Sequence, residues 1–184
     1  VAIVRDRDVH TRPIPYFGGI AMLCGLAAAL LVAGQFPWLG RFDLVAHDSR
    51  AVFIAGLVIC AVGVLDDMYE LNALAKIAGQ MLAAGIVVLN GVKVYWIPLP
   101  NTIITLDDAM SILLTMALIF LCVNSINLID GLDGLAAGVV AIGASSFFVY
   151  AYWLSYEQEL VRATTASLIT VVTVGMCLGF LPYN

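Results

Sequence analysis

The apolar and polar positions of this chain are arranged in long blocks, in which stretches free of Asp, Glu, Lys and Arg alternate with short charged segments. A membrane-spanning helix needs about 20 predominantly apolar residues at a rise of about 1.5 Å each. The stretches that are long enough to form all or most of a span are residues 13–40, 51–65, 77–92, 109–129, 134–156 and 163–184. The pattern therefore predicts an all-α, polytopic transmembrane helix bundle with about six spans.

Composition and charge limit the environment and the partners of the chain. Hydrophobic residues make up 62% of the 184 residues and charged residues only 11%, which is more apolar side chain than a soluble core of this length can bury. The formal net charge of -5 leaves no basic surface to neutralise nucleic-acid phosphates. The membrane is therefore the expected environment, and no nucleic-acid partner is expected.

The connection at residues 91–108 differs from the other charged segments. It contains Tyr95, Trp96, two prolines and an alternation of Thr and Ile, which is typical of an interfacial loop or a short hairpin. The sequence therefore predicts a small irregular or β element there, between the third and fourth apolar stretches.

Six spans place successive connections on alternating sides of the membrane, so the polar clusters that share a side can be identified. One side receives the N-terminal charged segment 5–12, the acidic segment 66–70 with Lys76, and the polar segment 124–133. Lys and Arg divide equally between the two sides, so the positive-inside rule gives no orientation.

The strongest local signal is a polar row between the fourth and fifth apolar stretches. Its members recur at every third position and carry amide or carboxylate oxygens: Asn124, Asn127, Asp130 and Asp133. On a helix this spacing keeps side chains on one slowly drifting face, and glycines such as Gly134 would break the helix or let backbone approach a ligand. Such oxygens suit a hard cation such as Mg²⁺. The alternative is a hydrogen-bonded polar turn between two helices.

A pair of adjacent carboxylates, Asp66 and Asp67, closes the second apolar stretch. That stretch, 51–65, covers only about 23 Å of a hydrocarbon core of about 30 Å, so the pair and Lys76 are expected near membrane depth, where charges mark functional sites. Neighbouring side chains on a helix point about 100° apart. One carboxylate could approach a metal or a phosphate while the other holds a nearby cation or helix end. The alternative is a surface loop, with Lys76 extending to the interface.

The segment before the first apolar stretch is polar and rigid. Pro13 and Pro15 fix an extended backbone, and His10 and Arg12 could contact anionic groups. An ordinary membrane-flanking segment would have a similar composition, and this alternative stays open.

Together these segments resemble the polyprenyl-phosphate N-acetylhexosamine-1-phosphate transferase family. The similarity follows the order of the family: R-x-x-H-x-x-P-x-P-x-x-G-G at 7–19, G-x-x-D-D at 63–67, K-x-x-x-Q at 76–80 and N-x-x-N-x-x-D-G-x-D-G-L-A at 124–136. The first motif and the short spacing between Asp67 and Lys76 are more similar to GlcNAc-1-phosphate transferases than to the phospho-MurNAc-pentapeptide transferase, which is the alternative within the family.

The resemblance implies an enzyme that transfers a sugar-1-phosphate, most simply GlcNAc-1-phosphate, from a UDP-sugar to undecaprenyl or decaprenyl phosphate at the start of cell-envelope polysaccharide synthesis, with release of UMP. It implies Mg²⁺, or Mn²⁺ in its place, as cofactor. It also implies a multi-pass protein of the bacterial inner membrane with a cytoplasmic active site and an extracytoplasmic 91–108 segment. The implied partners are the UDP-sugar, the lipid acceptor and the membrane, with a homodimer left open.

The resemblance further implies roles for single residues. The implied catalytic residues are Asp66, Asp67, Asp130 and Asp133. The implied substrate-binding residues are Lys76, Asn124, Asn127, Asp133, His10 and Arg12. Asn127 and Asp67 would hold the metal together with a family aspartate beyond Asn184. Within these sets, Lys76 would contact phosphate and Asp133 would lie near the uracil.

Two expectations concern the chain as a whole. Residues 1–184 are expected to form a single transmembrane catalytic domain fragment that lacks an N-terminal helix and the C-terminal part of the family, and therefore a complete site. The rival of another class is an ion-coupled membrane transporter, because intramembrane carboxylates also mark ion pathways. A transporter would place its acids near the midplane of its helices, whereas these acids lie at the ends of apolar stretches.

Overall fold

In a computed structural model, α-helices and one short β-hairpin form nearly all of the regular structure of the described residues, which are 18–37, 43–100, 102–130 and 134–183. In chain order the elements are α1 (Gly18–Ala33), α2 (Asp43–Tyr69), α3 (Ala73–Leu89), β1 (Trp96–Leu99), β2 (Thr102–Thr105), α4 (Asp108–Ile129), α5 (Leu135–Glu157) and α6 (Val161–Phe180), followed by a 3₁₀ turn at Leu181–Tyr183.

The lengths of these helices suit a bilayer. Of the described residues, four segments are long and apolar enough to cross a membrane: Asp43–Tyr69, Asp108–Ile129, Leu135–Glu157 and Val161–Tyr183. The two shorter apolar helices, α1 and α3, have 16 and 17 residues, or about 24–26 Å at 1.5 Å per residue. The prediction of an all-α, polytopic membrane bundle is confirmed.

Small side chains line the contacts between helices, and large apolar side chains face outward. Among the described residues, nine of the thirteen buried apolar residues are alanine, whereas Leu31, Leu89 and Leu128 are largely exposed. This distribution is the reverse of a soluble core and is typical of membrane helices, which gain by close packing rather than by removing large apolar groups from water. The exposed leucines therefore face the expected position of the lipid.

The second helix is longer than predicted. The apolar stretch 51–65 predicts a short span, but α2 has 27 residues, about 40 Å, and its first two turns contain Asp43, Asp48 and Arg50. A helix that emerges from the hydrocarbon continues through the interface, where charged side chains are tolerated. The second helix is therefore longer than the predicted stretch at both ends, and Asp66 and Asp67 lie in its last turn.

One end of the bundle carries the β-hairpin. β1 and β2 pair antiparallel with Trp96 opposite Thr105, and the backbone N–H of Val94 donates to Oγ1 of Thr115 in α4 at 2.9 Å. Arg162, at the start of α6, donates from Nη1 to the carbonyl of Gly91 at 2.8 Å. We call this the hairpin end. The predicted small element at 91–108 is confirmed as a hairpin.

The opposite end is called the site end, and it contains the C-termini of α2 and α4 and the N-termini of α3 and α5. Close contacts hold the helix termini together there. A Cβ built on Gly18 would lie 3.1 Å from the ring of Phe180, and one on Gly134 would lie 3.1 Å from Leu181. The site end therefore contains the acidic pair and three members of the polar row, Asn124, Asn127 and Asp130, as the alternation of spans predicts.

The crossing of α2 and α3 depends on one glycine. A Cβ built on Gly79 would overlap the side chain of Val62, whereas a Cβ on Gly85, in the same helix, has no atom within 4 Å. Gly79 therefore sets the distance between the two helices that carry the acidic pair and Lys76.

Replacing Gly79 with alanine is expected to destabilise the protein by about 1–3 kcal/mol, because the helices must separate or Val62 must move. The matched variant Gly85→Ala is expected to be neutral or stabilising, since alanine favours helix and meets no neighbour. Thermal melting of both variants in detergent checks this. Equal melting temperatures for the two variants would contradict the close crossing.

Candidate active site

The turn between α2 and α3 positions the first cluster of the site, which consists of Asp66, Asp67 and Lys76. Glu70 ends α2 with a left-handed backbone, φ 48°, while its N–H donates to the carbonyl of Asp66 at 2.8 Å. Asn72 then caps α3 by accepting from the backbone N–H of Ala75 at 2.8 Å. The tight reversal places the last turn of α2 beside the first turn of α3.

Asp66 and Lys76 form an ion pair across this turn. Nζ of Lys76 lies 2.8 Å from Oδ2 of Asp66, and the side chains are 43% and 30% exposed. The second oxygen of the carboxylate, Oδ1 of Asp66, is buried without a hydrogen-bond partner. Asp66 is therefore the member of the acidic pair that holds a cation, and one of its oxygens has no partner from the described residues.

Asp67 has a different environment from its neighbour. Its side chain is exposed, and it makes no hydrogen bond or ion pair with the described residues. Because its neighbour already neutralises Lys76, Asp67 is the carboxylate that remains available to a ligand. The expectation that the two adjacent acids differ in geometry agrees with this arrangement, and their catalytic roles stay predictions.

The polar row follows the C-terminal end of α4. Asn124 is half-buried, whereas Asn127 is exposed, and the helix ends at Ile129 with Asp130 as its C-cap. Gly134 has φ 69°, so the predicted helix break at this glycine is confirmed. Asp133, for which a catalytic and a substrate-binding role are predicted, lies outside the described residues.

One hydrogen bond joins the polar row to the first cluster. Nδ2 of Asn124 donates to Oε1 of Gln80 at 2.8 Å, and Gln80 lies one helical turn after Lys76 in α3. The acidic pair, Lys76 and the start of the polar row are thus linked through α3 at the same end of the bundle.

Not every predicted site residue is placed by the structure. His10 and Arg12 lie outside the described residues, as does Asp133. Sequence reasoning also missed Gln80, which stands in the quoted K-x-x-x-Q motif without an assigned role. Its spacing of four from Lys76 was the available signal, because residues i and i+4 share one face of a helix.

The oxygen donors at the site end fit a hard divalent cation. Asp67, Asn127 and Asp130 are exposed, and Oδ1 of Asp66 has no hydrogen-bond partner among the described residues. Within the described ranges, no three His, Cys, Asp or Glu side chains are grouped as a metal site. Mg²⁺ is usually held by only one or two carboxylates, with substrate phosphates completing its shell. The donor set meets that requirement.

Comparison with known proteins identifies the family. The profile of Glycosyl transferase family 4 matches residues 49–184. The chain belongs to glycosyl transferase family 4. The family 4 region contains the acidic pair, Lys76 and the polar row, and the resemblance drawn from these motifs is confirmed. Family membership and the apolar helices together make the chain part of a membrane protein.

Two relatives of this family 4 chain have names that specify a polyprenyl phosphate and N-acetylglucosamine. It is 45% identical over 188 residues to the decaprenyl-phosphate N-acetylglucosaminephosphotransferase of Mycobacterium leprae, covering 100% of this chain and 47% of that protein. It is 33% identical over 180 residues to a probable undecaprenyl-phosphate N-acetylglucosaminyl 1-phosphate transferase of Bacillus subtilis, covering 97% and 46%.

A third relative represents another branch of family 4. The chain is 31% identical over 213 residues to the phospho-N-acetylmuramoyl-pentapeptide-transferase of Mycobacterium leprae, covering 95% of this chain and 57% of that protein. The chain spans about half the length of the curated relatives that it matches. No solved structure matches it at a significant level.

Proposed function

We propose that this protein transfers GlcNAc-1-phosphate from UDP-GlcNAc to a polyprenyl phosphate, releasing UMP, at the cytoplasmic face of a bacterial inner membrane. The observation that carries the proposal is the linkage of the family motifs at one end of the bundle, through the pair of Asp66 with Lys76 and the hydrogen bond of Asn124 with Gln80. The names of the relatives support the same reaction.

The position of the site suits a lipid acceptor. A polyprenyl phosphate keeps its isoprenoid tail in hydrocarbon and its phosphate at the membrane boundary. Asp66 and Asp67 lie in the last turn of a membrane-spanning helix, and Lys76 lies in the first turn of the next helix. A phosphate at the boundary would therefore meet these side chains without leaving the level of the headgroups.

The proposed reaction is a displacement at phosphorus. An oxygen of the acceptor phosphate bonds to the β-phosphorus of UDP-GlcNAc, the bond from that phosphorus to the bridging oxygen breaks, and UMP leaves with the bridging oxygen. A phosphate monoester has a second pKa near 6, so only a fraction of the acceptor carries a proton near neutral pH. Asp67, which has no partner among the described residues, would accept that proton, while Lys76 would offset the charge of the phosphates.

The residues that would hold a divalent cation are Asp67 and Asn127, with an aspartate beyond Asn184 and with oxygens of the donor diphosphate. When bound, Mg²⁺ supplies compensation for the negative charge that develops on the UMP leaving group. Asp130 lies at the end of the same polar row and would contribute to the negative potential that attracts the cation.

Identity to the relatives favours GlcNAc-1-phosphate as the transferred group. The decaprenyl-phosphate N-acetylglucosaminephosphotransferases are 44–45% identical to this chain, whereas the phospho-N-acetylmuramoyl-pentapeptide-transferases are 27–31% identical. Offering UDP-GlcNAc and UDP-MurNAc-pentapeptide in parallel to membranes containing the full-length protein tests this choice. Transfer from UDP-GlcNAc alone is expected, and transfer from UDP-MurNAc-pentapeptide alone would contradict it.

Activity is expected to depend on a divalent cation. Chelation with EDTA should abolish formation of polyprenyl diphosphate GlcNAc, and Mg²⁺ or Mn²⁺ should restore it, because a diphosphate donor requires charge compensation at the leaving group. The measurement is lipid-extractable label from radioactive UDP-GlcNAc, with Ca²⁺ as a comparison ion of larger radius. Full transfer after thorough chelation would count against the proposed site.

A further inference from the structure

The amide of Asn124 is held in one orientation by two carbonyl oxygens. Its Nδ2 donates to the backbone carbonyl of Phe120, one turn earlier in α4, and to Oε1 of Gln80 in α3, both at 2.8 Å. A backbone carbonyl only accepts hydrogen bonds, so the amino group of Asn124 must face Phe120. Both amino hydrogens of Asn124 are then used, and Oδ1 is left as its acceptor.

Gln80 completes this arrangement from a buried position. The residue is only 6% exposed. Because the second hydrogen of Asn124 Nδ2 needs an acceptor, Gln80 must present Oε1 rather than its own amino group. The described residues donate no hydrogen bond to Oδ1 of Asn124. This oxygen is therefore available to an electropositive group at the site end.

We propose that Gln80 is a positioning residue of the phosphotransfer site, which together with the carbonyl of Phe120 holds the Asn124 amide so that its oxygen, and not its amino group, is offered to the ligand. The inference rests on the proposed function, because it requires that Asn124 meets the donor or its cation. Oxygen can ligate a metal ion or accept from a nucleotide N–H, whereas an amino group in its place can do neither. Gln80 acts through Asn124 and touches no reacting atom.

A merely structural hydrogen bond between α3 and α4 would behave differently. Such a bond contributes to the stability of helix packing in a membrane, and its loss lowers the melting temperature. A positioning role instead lowers kcat/KM of the folded enzyme, and the loss depends on whether Asn124 is present. The two roles are therefore separated by comparing catalytic and thermal measurements on the same variants.

The first test compares two replacements of Gln80 in the full-length protein. Gln80→Met has nearly the same shape but no strong acceptor, and it is expected to lower kcat/KM with UDP-GlcNAc and polyprenyl phosphate about 10–100-fold. Gln80→Glu keeps an acceptor oxygen in either protonation state and is expected to retain most of the activity. Equal losses for both variants would overturn the proposal.

The second test places the same change in a background without the target amide. Gln80→Met in Asn124→Leu should change kcat/KM by less than about twofold, since the two residues act as one unit. Equal losses in both backgrounds would overturn the proposal. Thr115→Val is the structural control, because it breaks a part-buried hydrogen bond between Val94 and α4 at the hairpin end. It should lower the melting temperature and preserve kcat/KM.

If Gln80→Met does not accumulate in the membrane, Gln80→Glu can be compared in two backgrounds, with Asn124 and with Asn124→Asp. Aspartate at position 124 cannot donate, so Gln80→Glu should be tolerated beside Asn124 but should lower activity strongly beside Asn124→Asp, where two carboxylates would face each other. The same effect of Gln80→Glu in both backgrounds would refute the inference. A wild-type protein that transfers no GlcNAc-1-phosphate would instead refute the proposed function.

Discussion

Replacing Asp67 with asparagine in the full-length protein is expected to lower the rate of GlcNAc-1-phosphate transfer by about 10²–10⁴-fold, because the change removes a proposed ligand of the divalent cation as well as a proton acceptor. Asp67 is the exposed member of the acidic pair and has no partner among the described residues. Asparagine has nearly the same shape but neither accepts a proton at neutral pH nor carries charge. The measurement is the initial rate with UDP-GlcNAc and polyprenyl phosphate in detergent.

Asp43→Asn is the matched control for this change. Asp43 is an exposed aspartate in the first turn of the same helix, at the opposite end of the bundle. It should leave the rate near the wild-type value, and both variants should insert into the membrane in normal amounts. Near-normal turnover of Asp67→Asn would remove Asp67 from the mechanism.

Replacing Lys76 with methionine is expected to have the second largest effect, a loss of activity of about 100-fold or more, because a cation that offsets phosphate charge is removed. Its effect on stability should be small. The ion pair with Asp66 is about 43% exposed at the lysine, and exposed pairs contribute about 0–1 kcal/mol. Initial rates and melting temperatures of the same preparation separate the two effects.

Two further variants identify the cause of that loss. Lys93→Met removes a lysine that is paired with Asp108 at the hairpin end, and it should keep activity. Asp66→Asn combined with Lys76→Met removes both partners of the ion pair, so the Asp66 carboxylate is not left unpaired, and its activity is compared with that of Asp66→Asn alone. If Lys76 only neutralises Asp66, the double variant is as active as Asp66→Asn. If Lys76 meets phosphate, as we propose, the double variant is about 100-fold less active than Asp66→Asn.

Much of the fold could be predicted from the sequence, because a helix that crosses the hydrocarbon layer needs about 20 residues with few or no charged side chains. The predicted stretch 109–129 differs from α4, Asp108–Ile129, by one residue, and the hairpin was expected from its interfacial composition. The start of α2 could not be predicted in this way. Helix formation does not stop at Asp48 or Arg50, and charge-free stretches report the hydrocarbon layer rather than the helix.

The candidate site was predictable in its members but not in its contacts. Spacing placed the acidic pair and the polar row on one side of the membrane, and the structure brings the pair and the described members of the row to the site end. Which aspartate holds Lys76 depends on the tight turn at Glu70, and the hydrogen bond of Asn124 with Gln80 depends on how closely helices pack. Such contacts between helices leave no periodic signal in the sequence.

The central claim is that the acidic pair and the polar row open onto the same face of the membrane. The most direct test is cysteine accessibility in full-length protein from which all native cysteines have been removed, including the four of this chain. Asp67→Cys and Asp130→Cys should both react with a membrane-impermeant maleimide in inside-out vesicles and not in intact spheroplasts, whereas Thr102→Cys in the hairpin should show the opposite pattern. Labelling of positions 67 and 130 from opposite sides would contradict the account.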